Sequence, residues 1–172
     1  MKAFLAILLA ALLAGCAGSG LKPGQSDQDE VVRVMGEPAM KWADADGSRL
    51  LAFPRGPMGV HSYMVRIGPD GKVQSIENAL ATETFARIQA GMGKEQVLRT
   101  LGPPDPAGTV YFKARDELVW EWRYCDDWSK LARFEVLFDG TTGLVRSTMS
   151  LREEQVGRCG GGEDGGGCWC GR

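Results

Sequence analysis

The sequence predicts an α+β fold of two tandem units, each made of short helices packed on a small antiparallel β-sheet. Three observations support this prediction: a helix motif that occurs twice, strand-like alternation after each copy, and glycine- or proline-containing turns between the elements. The chain has 172 residues, of which 44% are hydrophobic and 24% are charged, so its composition is that of an ordinary globular protein.

The helix motif carries its own start and stop signals. Its two copies occupy residues 24–38 and 91–104. In the first copy, Ser26 is the expected N-cap, Val31 begins the apolar stripe, and Gly36 suits a left-handed position where the helix ends. Val97 aligns with Val31, and Gly102 aligns with Gly36. The repeat therefore predicts two related helices, each of which opens a unit.

Strand-like segments follow both copies. They cover residues 49–53, 62–67 and 72–76 in the first unit, and 118–124, 133–139 and 144–150 in the second. In the segment 118–124, Trp122 alternates with Glu121 and Arg123, as expected for a strand with one buried face. Residues 81–90 predict a further short helix, with Phe85 and Ile88 facing inward.

The alternation divides the side chains of each sheet between two faces. The expected inner face carries Trp120, Trp122, Tyr124, Phe134, Val136 and Phe138 in the second unit, and Tyr63, Val65 and Ile67 in the first. The expected open face carries Met64, Arg66, Glu121, Arg123, Arg133 and Glu135. We predict that this open face binds a partner. The alternative is that these residues form only solvated cross-strand charge pairs.

The N-terminus predicts export. Lys2 precedes an apolar run over residues 3–14, which is typical of a signal peptide and is too short for a transmembrane helix of about 20 residues. Residues 13–16, Leu-Ala-Gly-Cys, resemble the lipobox of bacterial lipoproteins. The resemblance implies cleavage before Cys16 and lipid attachment to Cys16. Ala17, in place of aspartate, favours the outer membrane over retention in the inner membrane, with the protein facing the periplasm.

Charge argues against nucleic acid as a partner. The net charge is −2, and removal of residues 1–15 takes away only Lys2. Nucleic-acid binding requires a basic surface, which this composition does not predict.

Four cysteines remain after Cys16, namely Cys125, Cys159, Cys168 and Cys170. An exported chain enters an oxidising compartment, where an even number of cysteines predicts disulfides. Free thiols and a metal site around Cys168 and Cys170 are the alternatives, although the spacing is poor for zinc and His61 is the only histidine. We expect no metal, and a flexible glycine-rich tail that a disulfide ties back, with Cys159 bonded to Cys125 as one possibility.

The sequence offers few catalytic groups. A lone histidine beside a strand, His61, is typical of a structural residue, and the adjacent Asp126 and Asp127 fall in a predicted turn. Ser62 has no histidine partner at a recognisable spacing. We therefore predict that the protein is not an enzyme and has no cofactor.

Residues 91–104, with the following Val119 to Trp122 and residues 134–145, resemble the SmpA/OmlA (BamE-like) family of outer-membrane lipoproteins. The resemblance implies helices packed on a three-stranded antiparallel sheet and an accessory role in the β-barrel assembly machine. A tandem of such units is similar to the β-lactamase inhibitor protein fold. The chain departs from the family pattern at Gly93, where a Ser or Thr cap is usual. It also has two units where the typical family member has one, and its Gly- and Cys-rich tail has no counterpart in the family pattern.

The predicted organisation follows from these assignments. It comprises a lipoprotein signal peptide (1–15), a first BamE-like unit (16–78), a second BamE-like unit (79–150) and a Gly/Cys-rich tail (151–172). The predicted function is that of a non-enzymatic outer-membrane lipoprotein that binds an envelope protein during outer-membrane protein assembly or in envelope integrity. The alternative is a periplasmic inhibitor or regulator that grips an enzyme through a concave tandem sheet.

Overall fold

The structure is a computed structural model that describes residues 20–55, 59–158 and 168–170. The predicted signal peptide, Cys16 and Cys159 lie outside the described residues. The helices are α1 (Gln28–Met35), α2 (Thr82–Phe85) and α3 (Lys94–Leu101). The strands are β1 (Met40–Ala43), β2 (Arg49–Pro54), β3 (Ser62–Ile67), β4 (Val73–Asn78), β5 (Val110–Phe112), β6 (Glu117–Cys125), β7 (Leu131–Asp139) and β8 (Val145–Arg152).

The predicted α+β fold of short helices on a small sheet is wrong. The described chain is mostly β and contains two four-stranded antiparallel sheets with few short helices. The strand orders are β1-β2-β3-β4 and β5-β6-β7-β8. Each sheet gains one edge strand that the sequence did not predict, β1 and β5. Both are short, so they owe their extended conformation to pairing with the strands beside them, β2 and β6.

The first core lies on one face of the first sheet. Helix α1 contributes Val31, which packs with Leu51, Val65 and Ile67 of β2 and β3. Asp27, rather than the predicted Ser26, is the N-cap of α1, because its carboxylate accepts a hydrogen bond from Glu30 N at 3.0 Å.

The second core lies on one face of the second sheet. Phe85 stacks on Phe134 with 4.0 Å between ring centroids and meets Tyr124 edge-on at 4.7 Å. Phe85 and Ile88 are buried as predicted, but α2 covers only four residues of the predicted helix 81–90. Helix α3 adds Val97 and Leu101 to the same core.

The other face of the first sheet is covered by the end of α3. Gly102, which follows α3, has a positive φ of 75° and lies so close to β2 and β3 that a Cβ there would be 2.8 Å from Ser62 Oγ and 3.5 Å from Ala52 Cβ. An ion pair between Arg99 and Asp44 joins α3 to the turn between β1 and β2. Both faces of the first sheet are therefore buried along these strands.

Within the described ranges, no helix is long and apolar enough to cross a membrane.

Candidate functional site

A groove lies between the two sheets, beside the contact made by Gly102. Its volume is 290 Å³. It is lined by Pro54, Gly59, His61, Ser62, Leu80, Pro103, Pro104, Asp105, Pro106, Trp122 and Arg123. The lining is mainly apolar with a few polar groups, which is the composition usual for a preformed ligand site. Its size suits one or two side chains of a partner or a small ligand.

Ser62 supplies the most informative polar atom of the groove. The residue is 2% exposed, and its hydroxyl has no hydrogen-bond partner among the described residues. A buried hydroxyl without a partner costs about 1–3 kcal/mol, so such groups are uncommon in folded proteins. The oxygen itself is enclosed beside Gly102, so a bound ligand that removes this cost must meet the hydroxyl after the Ser62 side chain turns toward the groove.

The remaining polar groups hold the walls of the groove in place. Trp122 Nε1 donates a hydrogen bond of 3.0 Å to Pro103 O, which fixes the segment after α3 against β6. Asp105 accepts a hydrogen bond of 2.9 Å from Ala107 N and so caps the 3-10 turn Pro106–Gly108. His61 stacks on Tyr63 with 5.9 Å between ring centroids. The groove is therefore built from restrained side chains and does not need to fold around its ligand.

The predicted open face is largely closed. Glu121 is 4% exposed and Met64 is 6% exposed, so neither lies on a free surface. Gly108 covers Glu121 so closely that a Cβ at position 108 would lie 2.5 Å from Glu121 Oε1. Alternation assigned these residues to one face correctly, but it could not show that loops and α3 cover that face. Glu121 and Met64 are therefore not on an open face, contrary to the prediction.

The charged residues of the second sheet form a buried ionic cluster instead. Arg123 donates two hydrogen bonds to Glu153, from Nε at 2.7 Å and from Nη2 at 2.9 Å. Arg133 pairs with Glu121 and also lies 3.0 Å from Glu153. Glu153 begins the 3-10 turn Glu153–Val156 after β8, which carries its carboxylate over the sheet. The cluster fixes the 3-10 turn after β8 to β6 and β7.

Burial and neighbouring charges shift the pKa values of two carboxyl groups in this cluster in opposite directions. Burial, followed by the charge of Glu121 directly across the strands, raises the pKa of Glu135. Burial also acts to raise the pKa of Glu153, but hydrogen bonds and charge from Arg123 and Arg133 outweigh it, so the pKa is lowered. Glu153 is therefore the carboxylate that the two arginines hold ionised.

The six predicted binding residues thus separate into three places. Arg123 lines the groove and also belongs to the ionic cluster through Glu153. Met64 and Arg66 line a second cleft on the other side of the α3 contact. Glu121, Arg133 and Glu135 belong to the ionic cluster. The groove residues that the sequence analysis did not single out are mostly prolines near the end of α3. The Gly-Pro-Pro run at residues 102–104 was the feature of the sequence that could have indicated this wall of the groove.

The prediction of a disulfide is confirmed. Cys125 bonds to Cys170 with a Cα–Cα distance of 5.8 Å, so the suggested pairing of Cys125 with Cys159 is wrong. Cys168 is disulfide-bonded as well. Leu131 N donates a hydrogen bond of 2.7 Å to Cys168 O, and Lys130 lies 3.6 Å above the Trp169 ring. The tail is thus attached to the β6–β7 turn, where the predicted pair Asp126 and Asp127 also lies.

Comparisons with known proteins add little to this description. No family model matches the chain, and no curated protein sequence matches it. Among solved structures, it is similar to an extracellular protein containing an SCP domain from Bacillus anthracis str. Ames, with 13% identity and a TM-score of 0.28 over 80% of this chain. The match spans 46% of that protein, about half of its length. A TM-score this low shows neither a shared fold nor a shared function.

The described residues also contain no group of three or more His, Cys, Asp or Glu side chains that could hold a metal ion.

Proposed function

We propose that the protein is a non-enzymatic lipoprotein of the outer membrane that faces the periplasm and binds an envelope protein through the groove between its two sheets. The unpartnered Ser62 hydroxyl in that apolar groove is the observation that carries the binding function. The lipobox at residues 13–16 supports the anchor, and the resemblance to SmpA/OmlA lipoproteins supports a role in outer-membrane protein assembly or envelope integrity.

The proposed ligand is an apolar segment of a partner chain that brings a backbone or side-chain hydrogen-bonding group to Ser62. The walls of the groove are largely proline rings, Leu80 and Trp122, which contribute favourable apolar contact when water leaves. A preformed site of this kind avoids the entropy cost of ordering loops on binding. A single polar contact at Ser62 then fixes the register of the partner segment.

Site-specific crosslinking in intact cells tests this function. A photoreactive residue replaces Pro106, which is exposed and lines the groove. The matched control carries the same residue at Pro69, which is exposed and does not line the groove. We expect a discrete crosslinked envelope protein from position 106 and none from position 69.

The identity of the crosslinked protein separates the two candidate roles. A component of the barrel-assembly machine supports the accessory role, whereas a single periplasmic enzyme supports the inhibitor alternative. The absence of a product at position 106, or the same products from both positions, would contradict binding through the groove.

A further inference from the structure

Three arginines from separate parts of the chain line the second cleft, which has a volume of 220 Å³. Arg66 lies on β3, Arg87 follows α2, and Arg99 lies in the last turn of α3. The cleft is lined by Leu50, Met64, Arg66, Ser75, Glu77, Arg87, Arg99 and Thr100. Its lining therefore carries three positive charges and one negative charge, in a protein whose net charge is −2.

Asp44 holds two of these arginines side by side. One carboxylate oxygen accepts a hydrogen bond from Arg66 Nη1 at 3.2 Å, and the other accepts one from Arg99 Nη2. The hydrogen bond from Arg99, and then that from Arg66, lowers the pKa of Asp44. Each guanidinium engages Asp44 through only one of its three nitrogens, so most of their N–H donors stay available. Trp42 also lies 5.7 Å from the Arg99 guanidinium, which restrains Arg99 further.

Arg87 is the third and most loosely held cation. It lies 3.5 Å from Glu77, and both side chains are more than half exposed. An exposed pair of this kind contributes little to stability and exchanges readily for a stronger partner. Asp44 and Glu77 pair with the three arginines, and Asp46 also interacts electrostatically with Arg66. The attraction of the cleft for an anion therefore comes from its guanidinium N–H donors rather than from an excess of positive charge.

We propose that this cleft binds a phosphate-type oxyanion through Arg66, Arg87 and Arg99. Guanidinium groups match the oxygens of phosphate in geometry and form charge-assisted hydrogen bonds with them. Three guanidinium groups on separate elements can serve an anion with three or more oxygens better than a carboxylate with two. The Ser75 hydroxyl lines the same cleft and supplies a further donor. A free phosphate and the phosphodiester of a lipid headgroup share this chemistry.

Binding to the full chain in nonionic detergent tests the proposal. The arginine Nε–Hε signals are followed by NMR at low ionic strength, during titration with inorganic phosphate and, separately, with dihexanoylphosphatidylglycerol below its micelle concentration. We expect saturable shifts at Arg66 and Arg99 that acetate and chloride at equal concentration do not produce. Saturation by the lipid alone identifies a headgroup site, and saturation by inorganic phosphate alone identifies a site for free phosphate.

Arg87→Gln is the decisive variant, because Arg87 is exposed and its loss should not unfold the protein. We expect this change to weaken binding about tenfold, as for the loss of one charge-assisted hydrogen bond. Arg33→Gln removes the same charge from an exposed position outside the cleft and should leave the affinity unchanged. Equal weakening by both variants, or shifts that never saturate with either probe, would overturn the proposal.

Discussion

The contact between α3 and the first sheet can be tested by one substitution at two related positions. Gly36 and Gly102 both end a copy of the repeated helix, with φ values of 85° and 75°. An alanine at either position must adopt a positive φ with ψ near 180° (−171° at Gly36 and −172° at Gly102), a backbone region that is essentially restricted to glycine and costs about 1–3 kcal/mol. At Gly36 a Cβ has nothing within 4 Å, so Gly36→Ala should cost no more than that.

Gly102→Ala should cost more, because its Cβ would meet Ser62 Oγ at 2.8 Å and the Met64 sulfur at 3.5 Å. Overpacking of this kind costs about 1–3 kcal/mol, so the expected total with the backbone cost is about 2–6 kcal/mol. Urea denaturation gives both values, and unchanged m-values would show that the unfolding transition is comparable.

A double-mutant cycle assigns the excess to one atom. In a Ser62→Ala background the hydroxyl is absent, and Gly102→Ala should then cost about as much as Gly36→Ala. Equal losses of stability for Gly36→Ala and Gly102→Ala in the wild-type background would refute the close contact that forms one end of the groove.

Three further predictions follow from the cluster, the tail and the anchor. Glu153→Gln should lower the free energy of unfolding by about 3–5 kcal/mol, because it leaves buried arginines without their shared carboxylate. Glu154→Gln, at an exposed residue, should change the free energy of unfolding by less than about 1 kcal/mol. Similar values for the two variants in urea denaturation would contradict the cluster. Replacing Cys125 and Cys170 together by serine should cost about 4 kcal/mol in the chain-entropy model for a separation of 45 residues, and an unchanged thermal midpoint would argue against the bond. Cys16→Ser should release the protein from the membrane fraction or leave it uncleaved, whereas fractionation like that of the wild type would disprove lipid anchoring.

The ionic cluster also predicts how stability responds to acid. Because the pKa of Glu153 is lowered on folding, its contribution is present above the unfolded pKa and is lost as the pH falls through the folded pKa. The raised pKa of Glu135 acts in the opposite sense, since protonation favours the folded state there. Stability measured below pH 5 should therefore fall less steeply in Glu153→Gln than in the wild type.

Alternation in the sequence predicted the central strands well. Residues 62–67 were predicted as a strand and form β3 with the same bounds. Val65 and Phe134, which were predicted on the inner faces of the two sheets, lie in the two cores. These strands are central and buried on at least one face, so hydrophobic periodicity records their environment directly. The edge strands β1 and β5 have only four and three residues, which is too short for alternation to identify a strand from the sequence.

The sites were harder to predict than the strands, because both depend on contacts between distant segments. The groove forms where the Gly-Pro-Pro stop after α3 meets β3, and the ionic cluster forms where Glu153 folds back over Arg123. A sequence shows which residues share a face of a sheet but not which segment covers that face. For the same reason, the four cysteines predicted disulfides without predicting that Cys125 bonds to Cys170.

The yield of crosslinking from Pro106 in the Ser62→Ala variant tests the proposed binding function most directly. The substitution removes a buried hydroxyl that lacks a partner, so the free energy of unfolding should rise by about 1 kcal/mol. If the partner hydrogen-bonds to this hydroxyl, the yield should nevertheless fall about fivefold, as expected for the loss of about 1 kcal/mol of binding. A variant that is more stable and crosslinks as efficiently as the wild type would contradict the role of Ser62 in the groove.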